Sequence, residues 1–100
     1  MFIIYKHTNK KENKSYIGMT SKSVDERWIQ HCMSAFGPNR KRYKFHLALR
    51  KFGIDEDVWE HEIIEDNITD ISAACEREIF WIESCNTKWP NGYNMTVGGQ

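Results

Sequence analysis

An arginine and a histidine, Arg27 and His31, stand four positions apart in a stretch with a helical pattern of apolar residues. Side chains at positions i and i+4 of a helix project from the same face. Arginine carries a permanent charge on a planar fork that suits phosphate oxygens, and histidine exchanges protons near neutral pH. Such a pair is usually part of a solvated helix surface, so its function depends on which other residues meet it.

Two tyrosines near the N-terminus are the next candidates. Tyr5 and Tyr16 belong to the short apolar stretches Ile3-Ile4-Tyr5 and Tyr16-Ile17-Gly18, and a polar run over residues 6–15 separates them. Two apolar stretches joined by a polar turn predict a β-hairpin. A tyrosine hydroxyl, with a pKa of about 10, is a poor base unless a cation stands close. The ordinary role of both rings is core packing, but we expect the hairpin to present them to the substrate.

A glutamate and an asparagine complete the set of candidates. Glu76 lies in a predicted helix, beside its apolar stripe, and Asn94 lies in the turn-forming run Asn91-Gly92-Tyr93-Asn94. A carboxylate at the margin of a buried face is usually a surface residue or the partner of a nearby arginine such as Arg77. It is also the ligand type that a hard divalent cation needs. None of these residues is specific on its own.

The apolar pattern predicts one α+β domain in which helices pack against a three-stranded sheet. We expect strands over residues 2–8, 15–20 and 58–65, and helices over residues 23–35, 43–52 and from 69 or 72 to 85. A capping box at Ser23 begins the first helix, and Gly53 ends the second. The first two strands are antiparallel, whereas the direction of the third is left open. The third helix has its predicted apolar stripe at Ile71, Ala74, Cys75, Ile79 and Ile82.

Charge is balanced overall but unevenly placed. The 100 residues have a net charge of zero, which argues against binding nucleic acid by bulk charge alone. Residues 40–51 nevertheless hold six lysines or arginines and no acid, and such a basic sector can bind a phosphate backbone. The three cysteines fit neither a disulfide framework nor a zinc site. The phosphate contacts that we predict are Arg40, Lys41, Arg42 and Lys44.

Taken together, these residues resemble the GIY-YIG nuclease family over almost the whole chain. Ile3-Ile4-Tyr5 stands where the family has Gly-Ile-Tyr, and Tyr16-Ile17-Gly18 matches the second motif. Arg27 and His31 fall in the family's Arg-x-x-x-His pattern. Residues 49–53 resemble its segment before the third strand, residues 76–82 its metal-binding helix, and residues 91–94 its closing motif. The phage and intron homing endonucleases are the most similar members.

The resemblance implies a small three-stranded, antiparallel or mixed sheet flanked by three or more helices. It also implies hydrolysis of a DNA phosphodiester with one divalent metal, Mg²⁺ or Mn²⁺ as its substitute, held by Glu76. Arg27 would neutralise charge on the phosphoryl oxygens, and Asn94 would steady the site. The attacking water would be positioned or deprotonated by Tyr5, Tyr16 and His31.

Two points of the site stay open at this stage. The family favours Tyr5 as the general base, whereas the ordinary pKa of histidine favours His31. The family's further histidine or tyrosine after the first helix has three candidate positions in this chain, namely Tyr43, His46 and Arg40.

The resemblance further implies a catalytic domain over residues 1–97, with residues 98–100 as a chain end or the start of a linker. We expect a monomer that binds double-stranded DNA and no membrane, joined to a separate DNA-targeting domain in the full-length protein. We expect a cytoplasmic location and a phage, viral or mobile-element origin. Two alternatives are a non-catalytic nucleic-acid-binding module on the same scaffold and a protein-interaction domain with the tyrosines in its core.

Overall fold

The order of elements agrees with the predicted one. The computed structural model describes residues 1–38 and 42–98, so the predicted DNA contacts Arg40 and Lys41 lie outside the described residues. Across the described part of the chain the elements are β1 (Phe2–Asn9), β2 (Lys14–Thr20), α1 (Val24–Phe36), α2 (Lys44–Phe52), β3 (Trp59–Ile68) and α3 (Ile71–Cys85).

The sheet has the order β2-β1-β3, with β1 in the centre and antiparallel to both neighbours. The direction of β3, which the sequence left open, is therefore antiparallel, and the sheet is not mixed. In the register of β1 and β2, Tyr5 faces Gly18 and His7 faces Tyr16. Because alternate residues of a strand point to the same face, Tyr5 and His7 lie side by side on one face of β1.

Two apolar clusters cover the two faces of the sheet. Phe45, Leu49, Trp59 and neighbouring residues form the first cluster, against which Tyr16 and Trp28 pack. Residues of α3 form the second together with Ile4 and Ile17. Ile4 and Tyr5 are adjacent in β1 and therefore point to opposite faces of the sheet, because successive side chains of a strand alternate between its faces.

Local chemistry explains the helix ends. The predicted cap of α1 is confirmed at Ser23, whose hydroxyl oxygen accepts from the Glu26 backbone N–H at 3.1 Å. Gly53 ends α2 as predicted, with a φ of 79° that favours glycine. The cap of α3 differs from both predicted positions. Asp70 fills it, since its carboxylate accepts from the Ala73 N–H at 2.8 Å.

The buried face of α3 agrees only in part with the predicted stripe. Ala74 and Ile82 of that stripe are buried, whereas Ile71 and Ile79 are 50% and 39% exposed. The buried residues are Ala74, Glu78 and Ile82, which stand four positions apart and share one face. The helix is therefore rotated relative to the predicted stripe, and it carries a carboxylate on its inner face.

None of the helices that the structure describes is long and apolar enough to cross a membrane. All three cysteines are free thiols at partly exposed positions.

Candidate active site

A cavity of about 460 Å³ gathers side chains from β1, β2, all three helices and the segment that follows α3. Five of the six predicted catalytic residues line it, although they are spread over ninety positions of sequence. These five are Tyr5, Tyr16, Arg27, His31 and Asn94.

The sixth predicted residue, Glu76, does not reach the cavity. It is exposed on α3, whereas Glu78, two positions later, is 7% exposed and lines the cavity. Because an α-helix has 3.6 residues per turn, residues two apart point to nearly opposite sides. The structure therefore places Glu78, and not the predicted Glu76, in the cavity wall, and metal binding by a carboxylate of α3 stays a prediction.

Tyr5 is 1% exposed, and its hydroxyl lies 2.9 Å from Nε2 of His31. Its ring crosses directly over Gly18, where an added Cβ would overlap the Tyr5 hydroxyl. Burial raises the pKa of Tyr5 well above its usual range, and the charge of Tyr16 acts in the same direction. The Arg27 guanidinium opposes this rise in pKa through its charge and a hydrogen bond.

Tyr16 is held by α2. Its ring stacks on Phe45, with centroids 4.4 Å apart and an angle of 5° between the planes, and it meets the His31 ring edge-on at 5.3 Å. Burial raises the pKa of Tyr16 to about 12, and the Glu78 charge adds to the rise. Both tyrosines are therefore neutral at physiological pH unless a further positive charge lies nearby.

His31 is 3% exposed and forms hydrogen bonds through both ring nitrogens. Nε2 meets the Tyr5 hydroxyl, and Nδ1 lies 3.0 Å from Nε2 of His46. Burial, followed by the charge of Arg27, lowers the pKa of His31 to about 2. The protonated form is therefore strongly disfavoured, and the ordinary histidine pKa no longer favours His31 over Tyr5 as the general base.

Arg27 lines the cavity from α1, and its Nη1 donates to Gln30 at 3.1 Å. Its charge lowers the pKa of His31 and His46 and acts against the rise at Tyr5. Among the described residues that line the cavity, Arg27 is the one with a permanent positive charge. It lies on the same side of α1 as His31, as their i, i+4 spacing predicts.

The side-chain amide of Asn94 makes three hydrogen bonds within the protein. Its Oδ1 accepts from the Ile17 N–H at 2.9 Å and from the Thr87 hydroxyl at 2.8 Å, and its Nδ2 donates to the Ile17 carbonyl at 2.8 Å. These bonds fasten the segment after α3 to β2, one residue beyond Tyr16. Asn94 therefore steadies the strand that carries Tyr16 through its own hydrogen bonds.

Two further features lie at or beside the cavity. His46 lines the cavity behind His31; in the sequence it was one of three candidates, with Tyr43 and Arg40, for the family's further histidine or tyrosine, whereas the second feature was not predicted. Trp89 is 40% exposed, and the Nζ atoms of Lys14 and Lys44 lie 4.9 and 4.7 Å from its ring centroid. We call Lys14, Trp89 and Lys44 the Trp89 patch. Of the predicted phosphate contacts, Lys44 belongs to this patch and Arg42 is exposed.

The donors in the cavity suit a hard cation. Residues 1–38 and 42–98 contain no group of three or more His, Cys, Asp or Glu side chains that could hold a metal. Mg²⁺ needs no such cage, because it keeps several waters and binds one or two carboxylates together with substrate phosphate oxygens. Glu78 provides one such carboxylate, so the residues present fit a magnesium ion that is shared with a phosphodiester.

Comparison with known proteins agrees with this geometry. The family model of the GIY-YIG catalytic domain matches residues 1–94. The chain belongs to the GIY-YIG endonuclease family. The resemblance predicted from the motifs is therefore confirmed.

One relative and two solved structures extend the comparison. The chain is 33% identical over 92 residues to intron-associated endonuclease 1 of Enterobacteria phage T4, covering 92% of this chain and 36% of that protein. A glutamate-to-alanine mutant of the catalytic domain of intron endonuclease I-TevI matches with a TM-score of 0.81 and 30% identity, covering 98% of this chain and 97% of that one. The catalytic domain of homing endonuclease I-TevI matches with a TM-score of 0.78 and 30% identity, covering 96% and 99%.

Proposed function

We propose that this domain hydrolyses DNA phosphodiester bonds with one divalent cation, and that it is the catalytic domain of a homing-type endonuclease. One observation carries the proposal: two tyrosines, an arginine, a neutral histidine and a single carboxylate converge on one cavity. The family and the names of the relatives support a nuclease, and the chain spans only about a third of the phage relative.

Glu78 is the residue that would hold the cation, Mg²⁺ or Mn²⁺ in its place. A cation bound there would supply positive charge to the phosphoryl oxygens and to the leaving 3′ oxygen. Arg27 would bind a non-bridging oxygen of the same phosphate, since its fork and permanent charge suit that geometry.

Tyr5 would hold the attacking water and take its proton. It must first lose its own proton, which burial disfavours. Arg27 and a cation on Glu78 are the charges that favour the tyrosinate, because a positive charge within a few ångströms lowers the pKa of an acid. Tyr16 and His31, both neutral, would position the water and the Tyr5 hydroxyl.

DNA would reach the cavity along the Trp89 patch. Lys44 stands between Tyr43 and Phe45, and the Trp89 backbone N–H donates to the Asn94 carbonyl at 2.6 Å, so the patch adjoins residues that line the cavity. Lysines beside an exposed aromatic ring can hold a phosphate backbone without reading its sequence. Target choice would come from a separate DNA-binding region of the full-length protein.

Nicking of supercoiled plasmid with Mg²⁺ at low salt tests the proposal, with Glu78→Gln and Glu76→Gln as a matched pair on α3. We expect nicking that stops with EDTA and in Glu78→Gln, and continues in Glu76→Gln. Activity in Glu78→Gln with loss in Glu76→Gln would overturn the assignment of the metal ligand.

The same variants should also be fused to a sequence-specific DNA-binding domain after Gln100. Fusion raises the effective concentration of DNA at the cavity, so a domain that lacks only its targeting region will then cleave. A fusion that binds its target and leaves the DNA intact in Mg²⁺ and in Mn²⁺ would refute catalysis and support a non-catalytic binding module.

A further inference from the structure

A second buried histidine lies directly behind the Tyr5–His31 pair. Nε2 of His46 is 3.0 Å from Nδ1 of His31, and Nε2 of His31 is 2.9 Å from the Tyr5 hydroxyl. His46 and His31 are 5% and 3% exposed. The three side chains form a continuous line of hydrogen bonds from α2 through α1 to β1.

The line has two possible directions. A neutral histidine carries one N–H and one bare nitrogen, and burial keeps both rings neutral by lowering the pKa of each. Either His46 donates to His31, which then donates to the Tyr5 oxygen, or Tyr5 donates to His31, which then donates to His46. One of these directions places an N–H on Nδ1 of His46 and the other leaves that atom bare.

The surroundings of His46 Nδ1 favour the first direction. This atom is buried and has no hydrogen-bond partner among residues 1–38 and 42–98. An N–H buried without an acceptor is destabilising and rare in folded proteins. The charges that act on His46 are those of Arg27 and Arg50, both positive. A positive environment favours a bare lone pair over an N–H at an unpartnered nitrogen.

We propose that His46 is a positioning residue that donates Nε2–H to His31 and so fixes His31 as the tautomer that donates to Tyr5. The Tyr5 oxygen then accepts from His31 and from Arg27, and its own O–H is left for the cavity. In the opposite direction the Tyr5 O–H would donate to His31 and would not point into the cavity. His46 thus decides, without touching the substrate, whether Tyr5 can exchange its proton with water in the cavity.

The catalytic part of this inference rests on the proposed nuclease function, whereas the tautomer itself does not. The primary measurement is therefore the ¹⁵N NMR spectrum of the His31 ring in the unmodified domain, without metal or DNA. We expect the proton on Nε2 and a bare Nδ1. A proton on Nδ1 would overturn the proposal whether or not the domain cleaves DNA.

Two variants then connect the tautomer with the reaction. His46→Gln retains an N–H near the position of Nε2, and we expect cleavage within about threefold of the unmodified domain. His46→Glu places an acceptor there, which should move the His31 proton to Nδ1 and reduce cleavage by about 100-fold, the scale of a lost proton-transfer contribution. Thermal unfolding of both variants shows that they are folded at the assay temperature.

Reversal of the tautomer in His46→Glu with unchanged cleavage would refute the positioning role. Equal losses in His46→Gln and His46→Glu, with the tautomer unchanged in both, would show a role in packing alone. If no form of the domain cleaves DNA, the nuclease function fails, and the NMR measurement still decides the direction of the hydrogen bonds.

Discussion

Replacing Gly18 by alanine should displace Tyr5 and inactivate the domain. Gly18 faces Tyr5 across the β1–β2 pair, and the Tyr5 ring lies over it. An alanine Cβ would overlap Oη and Cζ of Tyr5 and lie 3.0 Å from Cε1. Gly18 is not among the residues with positive φ, so its backbone accepts alanine and the effect is one of space alone.

The size of the effect follows from the contacts around the ring. Carbon atoms in contact stand about 3.5–4.0 Å apart, so the end of the Tyr5 ring must move by about 1 Å or more. The ring is confined by the His7 ring, with centroids 4.8 Å apart, and by the 2.9 Å bond to His31. Overpacking of this kind costs about 1–3 kcal/mol of folding free energy. A displacement of about 1 Å at a reacting group can cost about 100-fold in rate.

A double-mutant cycle separates this cause from others. Urea unfolding would be measured for the unmodified domain, Gly18→Ala, Tyr5→Ala and the double variant, with plasmid nicking of Gly18→Ala measured in parallel. We expect Gly18→Ala to cost about 1–3 kcal/mol alone and close to nothing once Tyr5 is alanine. An equal cost in both backgrounds, or full nicking activity in Gly18→Ala, would refute the argument.

Three further perturbations test other parts of the molecule. Burial lowers the pKa of His7 to about 3 and that of His31 to about 2, so the unfolded chain binds protons below about pH 6.5 and the folded chain does not. This contribution to stability should therefore be complete at pH 8 and fall by about 2 kcal/mol for each histidine between pH 8 and pH 5. A flat urea-unfolding profile over that range would contradict this. Lys44→Ala should weaken DNA binding equally for all sequences, and it should reduce by about one the slope of the logarithm of the binding constant against the logarithm of the salt concentration. A loss of binding confined to one sequence would argue against a contact with the DNA backbone. Asn94→Ala removes three buried hydrogen bonds and should cost about 3 kcal/mol in urea unfolding, and a cost below about 1 kcal/mol would show that they are dispensable.

The features that sequence analysis could predict are those with a local cause. The β-hairpin follows from two short apolar stretches joined by a polar turn, and the shared face of Arg27 and His31 follows from the helical period. The cap at Ser23 and the end of α2 at Gly53 follow from the chemistry of single residues. Each of these depends on neighbours within a few positions, and the structure confirms each one.

The rotation of α3 has no local cause. Its sequence offers two apolar faces, one with Ile71 and Ile79 and one with Ala74 and Ile82, and packing against the sheet selects the second. That face also carries Glu78, which a search for apolar residues alone leaves out. Counting positions i, i+4 and i+8 from Ala74 without regard to polarity would have included Glu78. A buried carboxylate interrupts the hydrophobic pattern at the position where the site needs it.

Burial also supports the proposed cation. Arg27 and Glu78 are the charged side chains that line it in the part of the chain that the structure describes, because burial keeps its two histidines and its tyrosines Tyr5 and Tyr16 neutral. A phosphodiester entering this site would bring its negative charge close to Glu78, and two like charges in a buried site are costly. The negative charge that develops on the phosphoryl group in the transition state adds to this repulsion. In the proposed mechanism a divalent cation held by Glu78 would offset these negative charges, and it would also favour the tyrosinate form of Tyr5, the form that could accept a proton from water.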